Sequence, residues 1–188
     1  MDDSTGSDRV AMQAEADAVA ERLVRAHLAA LGVAHEIMPC HPDLADTAQF
    51  CAAYGIAPED SANTIVVVGK SDPPVYVACV VLATTRLDVN NVVRKRIGVK
   101  KASFASADQT RELTGMLIGG VTAFGLPKDM RVWVDARVME RPEVILGGGS
   151  RSCKVRCSPE VLRALSTVEV VEGLAQEFAP IGLEAETG

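Results

Sequence analysis

"TIVVVGKSDPPVYVACVVLA" (residues 64–83) decides the fold class of this 188-residue chain. Two β-branched-rich runs, 64–70 and 75–83, flank the turn Ser-Asp-Pro-Pro, which is the pattern of an antiparallel hairpin. Both runs are apolar at consecutive positions, so neither strand has a solvent face. The hairpin is therefore expected in the interior of its sheet.

Working outward, a helix is expected from about residue 10 to 31, with Val19, Leu23, Ala26 and Ala30 on one face and Gly32 at its end. Residues 34–40 read as a short strand. Asp46 and Gln49 have the spacing of a capping box for a helix closed by Gly55. On the other side of the hairpin, Asp88 is placed to cap a helix that runs through Ile97 to Gly98. Ser106 and Gln109 form a second capping box. "RVWVDARVM", "EVILGGG" and "SCKVRC" read as strands, and Ser158-Pro159 opens a helix. "VEVVEG" fits a last strand. Residues 1–8 read as a disordered lead-in, 9–175 as one domain and 176–188 as a loose tail. Hairpin-linked strands mixed with single helices give an α/β domain built on a mixed, largely antiparallel sheet or a partly closed barrel with flanking helices.

Hydrophobic residues make up 48% of the chain and aromatic residues only 4%, so Val, Leu, Ile and Ala must build the core. The net charge of -6 argues against a broadly basic nucleic-acid coat protein. It leaves room for a local basic patch, and "RKRIGVKK" (94–101) is one, with Arg94, Lys95, Arg96, Lys100 and Lys101. The five cysteines show no C-x-x-C spacing, which indicates neither a disulfide framework nor a zinc site. No metal or cofactor is expected. The amino terminus lacks the features of a signal peptide, and no apolar run approaches the ~20 residues of a membrane span. The expected location is cytoplasmic, with neither membrane nor DNA as partner.

Catalytic sets are scarce. Cys40 and His41 are adjacent in an extended segment, where neighbours point to opposite sides and cannot readily act as nucleophile and base. No P-loop, G-x-S-x-G or G-x-G-x-x-G motif is present. What stands out is a pair of glycine-rich turns, "TGMLIGGVTAFG" (114–125) and "LGGGSRS" (146–152). They are either tight turns or bare backbone that binds a carbonyl or phosphate oxygen. Arg151 beside the second turn would suit an anionic ligand.

From about residue 41 to 162 the chain resembles the YbaK family, relatives of the editing insertion of bacterial prolyl-tRNA synthetase. The resemblance rests on "NTIVVV", "RLDVNNVVRKRIGVKKASFAS", "TGMLIGGVTAFG", Asp135 in "VWVDA", and "LGGGSRS", in that order. It implies a mixed-sheet α/β fold and trans-acting hydrolysis of mischarged tRNA, a prolyl-type tRNA being one candidate. It implies as ligand the aminoacyl-tRNA acceptor end, with a synthetase as a further candidate partner. The site it implies comprises Asn63, Thr64, Gly119, Gly120, Val121, Thr122, Ala123, Gly148, Gly149, Ser150 and Arg151. The basic stretch Arg94 to Lys101 would meet tRNA phosphates. Two departures from the family stand out. Its functional lysine falls on Asn63, and the proline of its Gly-x-x-x-Pro loop falls on Ala123. Asparagine keeps hydrogen-bonding capacity and loses the charge. Lys70, about 23 Å along the strand at ~3.3 Å per residue, cannot replace it. A binding module that kept the pocket and lost the chemistry is the alternative reading, for tRNA, an aminoacyl group or a small metabolite.

Overall fold

The computed structural model describes residues 4–178. Strands β1 (His35–Pro39), β2 (Ala62–Gly69) and β3 (Val75–Leu82) lead the sheet order of the chain. β2 and β3 pair antiparallel from Ala62 opposite Leu82 to Gly69 opposite Val75, as the hairpin pattern predicts. β4 (Thr85–Leu87) follows β3, and β5 (Ala102–Phe104) pairs antiparallel with the outer side of β2. β6 (Arg131–Asp135) runs parallel to β3, so both hairpin strands are interior.

A second sheet is built from β1, β7 (Val144–Gly147) and β8 (Cys153–Cys157), antiparallel in the order β1-β8-β7. β9 (Val168–Val171) completes the large sheet, β5-β2-β3-β6-β9, and β10 (Ala175–Glu177) pairs with β4. The result is a single mixed α/β domain, largely antiparallel. Among the described residues its two main sheets are joined by one backbone bridge, Ser61 with Ile145, and do not close into a barrel.

The unbroken apolar strands are explained by cover on both faces. Val66, Ala78, Val80, Val132 and Val134 pack toward the small sheet and the first helix. Val67, Val77, Cys79, Val81 and Trp133 pack beneath β4, β10 and the 89–93 turn. Burial pushes the Cys79 thiol up to about 12, so it is inert core.

Helix α1 (Ser4–Leu31) begins earlier than its apolar period predicts, because backbone bonding carries a helix past the residues it buries. Residues 4–8 of the expected lead-in are therefore helical. Residues 1–3 and 179–188 lie outside the described residues, and β10 occupies the start of the expected tail. The buried face is also a correction. Ala20, Val24 and Leu28 are buried, whereas Val19 and Leu23 of the expected face are 40% and 52% exposed. The two rows lie one residue, about 100°, apart on the helix. Polar contacts choose between them: Ser150 Oγ donates to Glu21 (2.5 Å) and the Gly125 N–H donates to His27 Nδ1 (2.8 Å).

Helix α2 (Thr47–Tyr54) ends at Gly55 with φ 65°, as expected, but its capping box does not form. Arg151 takes the Asp46 carboxylate instead, with Nη1 at 3.2 Å and Nη2 at 3.3 Å. The turn 89–93, capped by Asp88, continues into α3 (Arg94–Ile97) and stops at Gly98. Helix α4 (Ala107–Thr114) carries the full Ser106–Gln109 capping box. The strand read through "RVWVDARVM" ends early at Asp135. Its carboxylate accepts from the Arg137 N–H (3.0 Å), starting α5 (Ala136–Met139), and from the Ala175 N–H (2.8 Å). Short α6 (Glu160–Arg163) follows Ser158, whose Oγ accepts from the Glu160 N–H at 3.3 Å.

Candidate functional site

Beside the Ser61–Ile145 bridge lies a cavity of about 410 Å³. One wall is β2 from Ala62 to Val66 and another is β7 from Ile145 to Gly147. The first glycine turn contributes Ile118, Gly119 and Val121, and α2 contributes Thr47 and Phe50. Apolar Phe104 and Ile118, 56% and 55% exposed, stand where the cavity reaches solvent.

Asn63 sits on this wall. Its Oδ1 accepts from the Thr47 hydroxyl at 2.6 Å, and among the described residues its amide nitrogen has no hydrogen-bond partner. Thr64 lines the cavity too, and its buried hydroxyl is unpartnered. Of the other expected site residues, Gly119 and Val121 reach the cavity, while Gly120, Thr122, Ala123, Gly148, Gly149, Ser150 and Arg151 do not line it.

The glycines of the two turns approach each other. A Cβ on Gly120 would fall 2.4 Å from the Ser150 backbone, and one on Gly147 would fall 2.3 Å from the Val121 carbonyl oxygen. The Gly149 N–H donates to the Gly120 carbonyl at 2.9 Å, and a Cβ on Gly149 would press on the α1 backbone at Ala20. The density of glycine is thus explained by backbone packed on backbone, and the cavity borrows its shape from that contact.

Arg151 is a strut. Its Nε donates to the Pro42 carbonyl (3.0 Å), and Nη1 donates to the Ile118 carbonyl (3.0 Å) as well as to Asp46. The same guanidinium holds the Asp46 carboxyl below the usual carboxylate range. The fork offered to an anion on sequence grounds is therefore occupied within the protein. Cys40 and His41 also stay apart as a catalytic pair: the buried thiol donates to the His41 carbonyl (3.3 Å), while the ring accepts from the Asp43 N–H (3.3 Å). Burial raises the Cys40 thiol above its ordinary value.

One cavity residue escapes sequence reasoning altogether. Lys154, on β8, is only 6% exposed, yet it lines the cavity. Its Nζ donates to the Ala45 and Gly119 carbonyls, both at 2.7 Å, and lies 5.3 Å from the centre of the Phe50 ring. Burial lowers its pKa, with Arg151 acting in the same direction. In the alternating strand "SCKVRC" it shares a face with half-exposed Arg156, so it reads as a solvent-facing position. The cover laid over it by α2 and the glycine turn has no local sequence signal.

The basic stretch divides. Arg96 is paired with Glu169 and lies over the Trp133 ring, its guanidinium carbon 5.2 Å from the centroid. Arg94 Nε donates to the Asn90 carbonyl. Lys95, Lys100 and Lys101 are exposed and, among the described residues, have no carboxylate partner. This stretch runs directly into β5, whose last residue is Phe104 at the cavity mouth.

The cavity lies where the two sheets of this α/β domain meet, and the basic segment leads into β5 at its mouth. The chain belongs to the aminoacyl-tRNA editing domain family, whose model matches residues 41–165. It is 26% identical over 147 residues to the uncharacterized protein YwhH of Bacillus subtilis (strain 168), covering 78% of this chain and 91% of that one. It is 24% identical over 115 residues to a candidate Cys-tRNA(Pro)/Cys-tRNA(Cys) deacylase, EbsC of Enterococcus faecalis (strain ATCC 700802 / V583), covering 61% and 68%. Its fold is shared with the crystal structure of a candidate trans-editing enzyme for prolyl tRNA synthetase, at a TM-score of 0.72 and 24% identity over 85% of this chain and 98% of that one. Among the described residues, no helix is long and apolar enough to cross a membrane.

Proposed function

We propose that this chain is a trans-acting aminoacyl-tRNA deacylase, a cytoplasmic hydrolase that clears mischarged tRNA, with a prolyl-type tRNA as its substrate. The observation that carries the reading is that the family match, 41–165, contains every residue of the cavity wall. The chemistry asked of the site is modest. A water oxygen bonds to the ester carbonyl carbon, the bond from that carbon to the ribose oxygen breaks, and the ribose oxygen takes up the proton. Free amino acid and the tRNA hydroxyl result.

The residues supply binding and polarity for this. The free amide nitrogen of Asn63 donates to the aminoacyl group, and Phe104 offers an exposed ring on which the terminal base stacks. Lys95, Lys100 and Lys101 meet acceptor-stem phosphates. A synthetase is a candidate partner, since an acidic protein with a small basic face binds tRNA weakly by itself.

The direct test is release of amino acid from a panel of correctly and wrongly charged tRNAs, with the prolyl acceptor carrying Ala, Cys and Ser. Hydrolysis of a mismatched pair well above the spontaneous rate is expected. A flat panel from folded protein sinks the deacylase reading and leaves the binding module. For the basic face, K95Q/K100Q/K101Q is expected to weaken tRNA binding and to flatten the slope of log K against log[salt] by about 2–3, at ~0.7–0.9 per phosphate contact. Binding titrations at several salt concentrations read this directly; an unchanged slope would move the phosphate contacts elsewhere.

A further inference from the structure

The charged side chains on the cavity wall are Asp46 and Lys154, and Asp46 is already paired with Arg151. Lys154 is therefore the uncompensated charge facing the cavity among the described wall residues. An ammonium has three N–H donors and no acceptor. Two of the donors are held by the Ala45 and Gly119 carbonyls at 2.7 Å, and both of these partners can only accept. The third has no hydrogen-bond acceptor among the described residues, the Phe50 ring centre lying 5.3 Å from Nζ. A buried cation with one donor left over, in a cavity whose other polar groups are neutral or paired, is suited to charge that appears on a ligand rather than to charge already there.

We propose that Lys154 is a catalytic residue of the deacylase, its remaining N–H donating to the scissile carbonyl oxygen as that oxygen gains negative charge under attack by water. The inference rests on the deacylase reading and adds to it the group that stabilises the oxyanion. No bond to Lys154 forms and it gives up no proton; the ammonium is the same before and after the step. The two carbonyls fix where the donor stands. They belong to the loop before α2 and to the first glycine turn, so the charge is held where these two segments meet, a Cβ on Gly119 falling 3.6 Å from that of Ala45. Asn63 is tied to the same loop through Thr47, two residues beyond Ala45. Donors from two different sheets thus converge beside one three-residue segment.

A purely mechanical clamp would use the same two hydrogen bonds, so the test must separate charge from clamping. With a mischarged tRNA that the parent hydrolyses, Lys154→Met is expected to lower kcat by about 10²–10³-fold and leave KM within about threefold. A kcat within threefold of the parent, or a KM that rises with kcat unchanged, overturns the proposal. Because this variant removes a buried clamp, a second measurement uses the unaltered protein. Two probes are compared for binding: adenosine carrying alanine through a 3′ phosphonate, which presents an anionic tetrahedral centre, and the neutral 3′-amide analogue. The phosphonate is expected to bind at least tenfold more tightly. Equal binding, or preference for the amide, overturns the proposal whether or not Lys154→Met folds. A flat tRNA panel would count against the deacylase reading itself. An active parent with an equally active Lys154→Met would count against this inference alone.

Discussion

Asn63→Ala is expected to lower turnover by about 10²–10³-fold while tRNA affinity changes by less than about threefold. The expectation follows from how the side chain is held. The Thr47 hydroxyl donates to Oδ1 at 2.6 Å, which fixes the amide plane and turns its nitrogen away from that contact. The nitrogen then has no protein partner among the described residues, on the wall of a cavity large enough for an aminoacyl group. A donor held in place before the substrate arrives costs no reorganisation when the carbonyl polarises, and this is where such groups gain most. Binding should hardly change, because the lysines proposed to meet the phosphates lie on another segment. Asn63→Asp sharpens the test: it keeps the shape and an acceptor for Thr47 but removes the donor, so it should fall with the alanine variant. Single-turnover hydrolysis and equilibrium tRNA binding separate the two effects. Activity retained in both variants would remove Asn63 from the chemistry.

The hairpin and the capping boxes show why some of this was legible in the sequence. Residues 64–83 announce themselves because a strand covered on both faces must be apolar throughout, and the turn chemistry lies between the runs. Ser106–Gln109 forms as read because nothing else competes for either side chain. Asp46–Gln49 has the same local spacing and fails, because an arginine more than a hundred positions away takes the carboxylate. The rotation of α1 fails for the same kind of reason, being set by Glu21 and His27 reaching the glycine turns.

The site divides along this line as well. Asn63, Thr64, Gly119 and Val121 belong to segments recognisable by pattern, and they do reach the cavity. Lys154 becomes a cavity residue only when α2 and the first glycine turn close over β8, and strand alternation alone assigns it to solvent. The charge that asparagine at position 63 does not supply is present in the cavity, on a different strand. The inert-module reading drew its support from that absence, and Lys154 takes the support away.

Gly147→Ala is expected to cost about 3 kcal/mol of stability or more, the upper part of the range for overpacking a core. For a chain of this size that corresponds to a fall in Tm of roughly 6–12 °C. Gly147 is absent from the positive-φ glycines, so backbone strain contributes nothing and the whole effect is steric. The added methyl would sit 2.3 Å from the Val121 carbonyl oxygen and 2.5 Å from that of Gly120. Both are backbone atoms and cannot swing aside as a side chain could. Relief requires the two glycine turns to separate, which strains the Gly149 N–H bond to the Gly120 carbonyl and moves Gly119, the residue that Lys154 holds. Activity should therefore fall even in the fraction that stays folded. Gly32→Ala is the control. Its Cβ meets nothing within 4 Å, and its φ of 63° confines the cost to about 1–2 kcal/mol at a helix end remote from the cavity wall. Thermal denaturation of the two variants beside their hydrolysis rates distinguishes the cases. If Gly147→Ala melts no lower than Gly32→Ala and hydrolyses like the parent, the turns are looser than their contacts imply, and the glycines do not owe their presence to the packing of one turn upon the other.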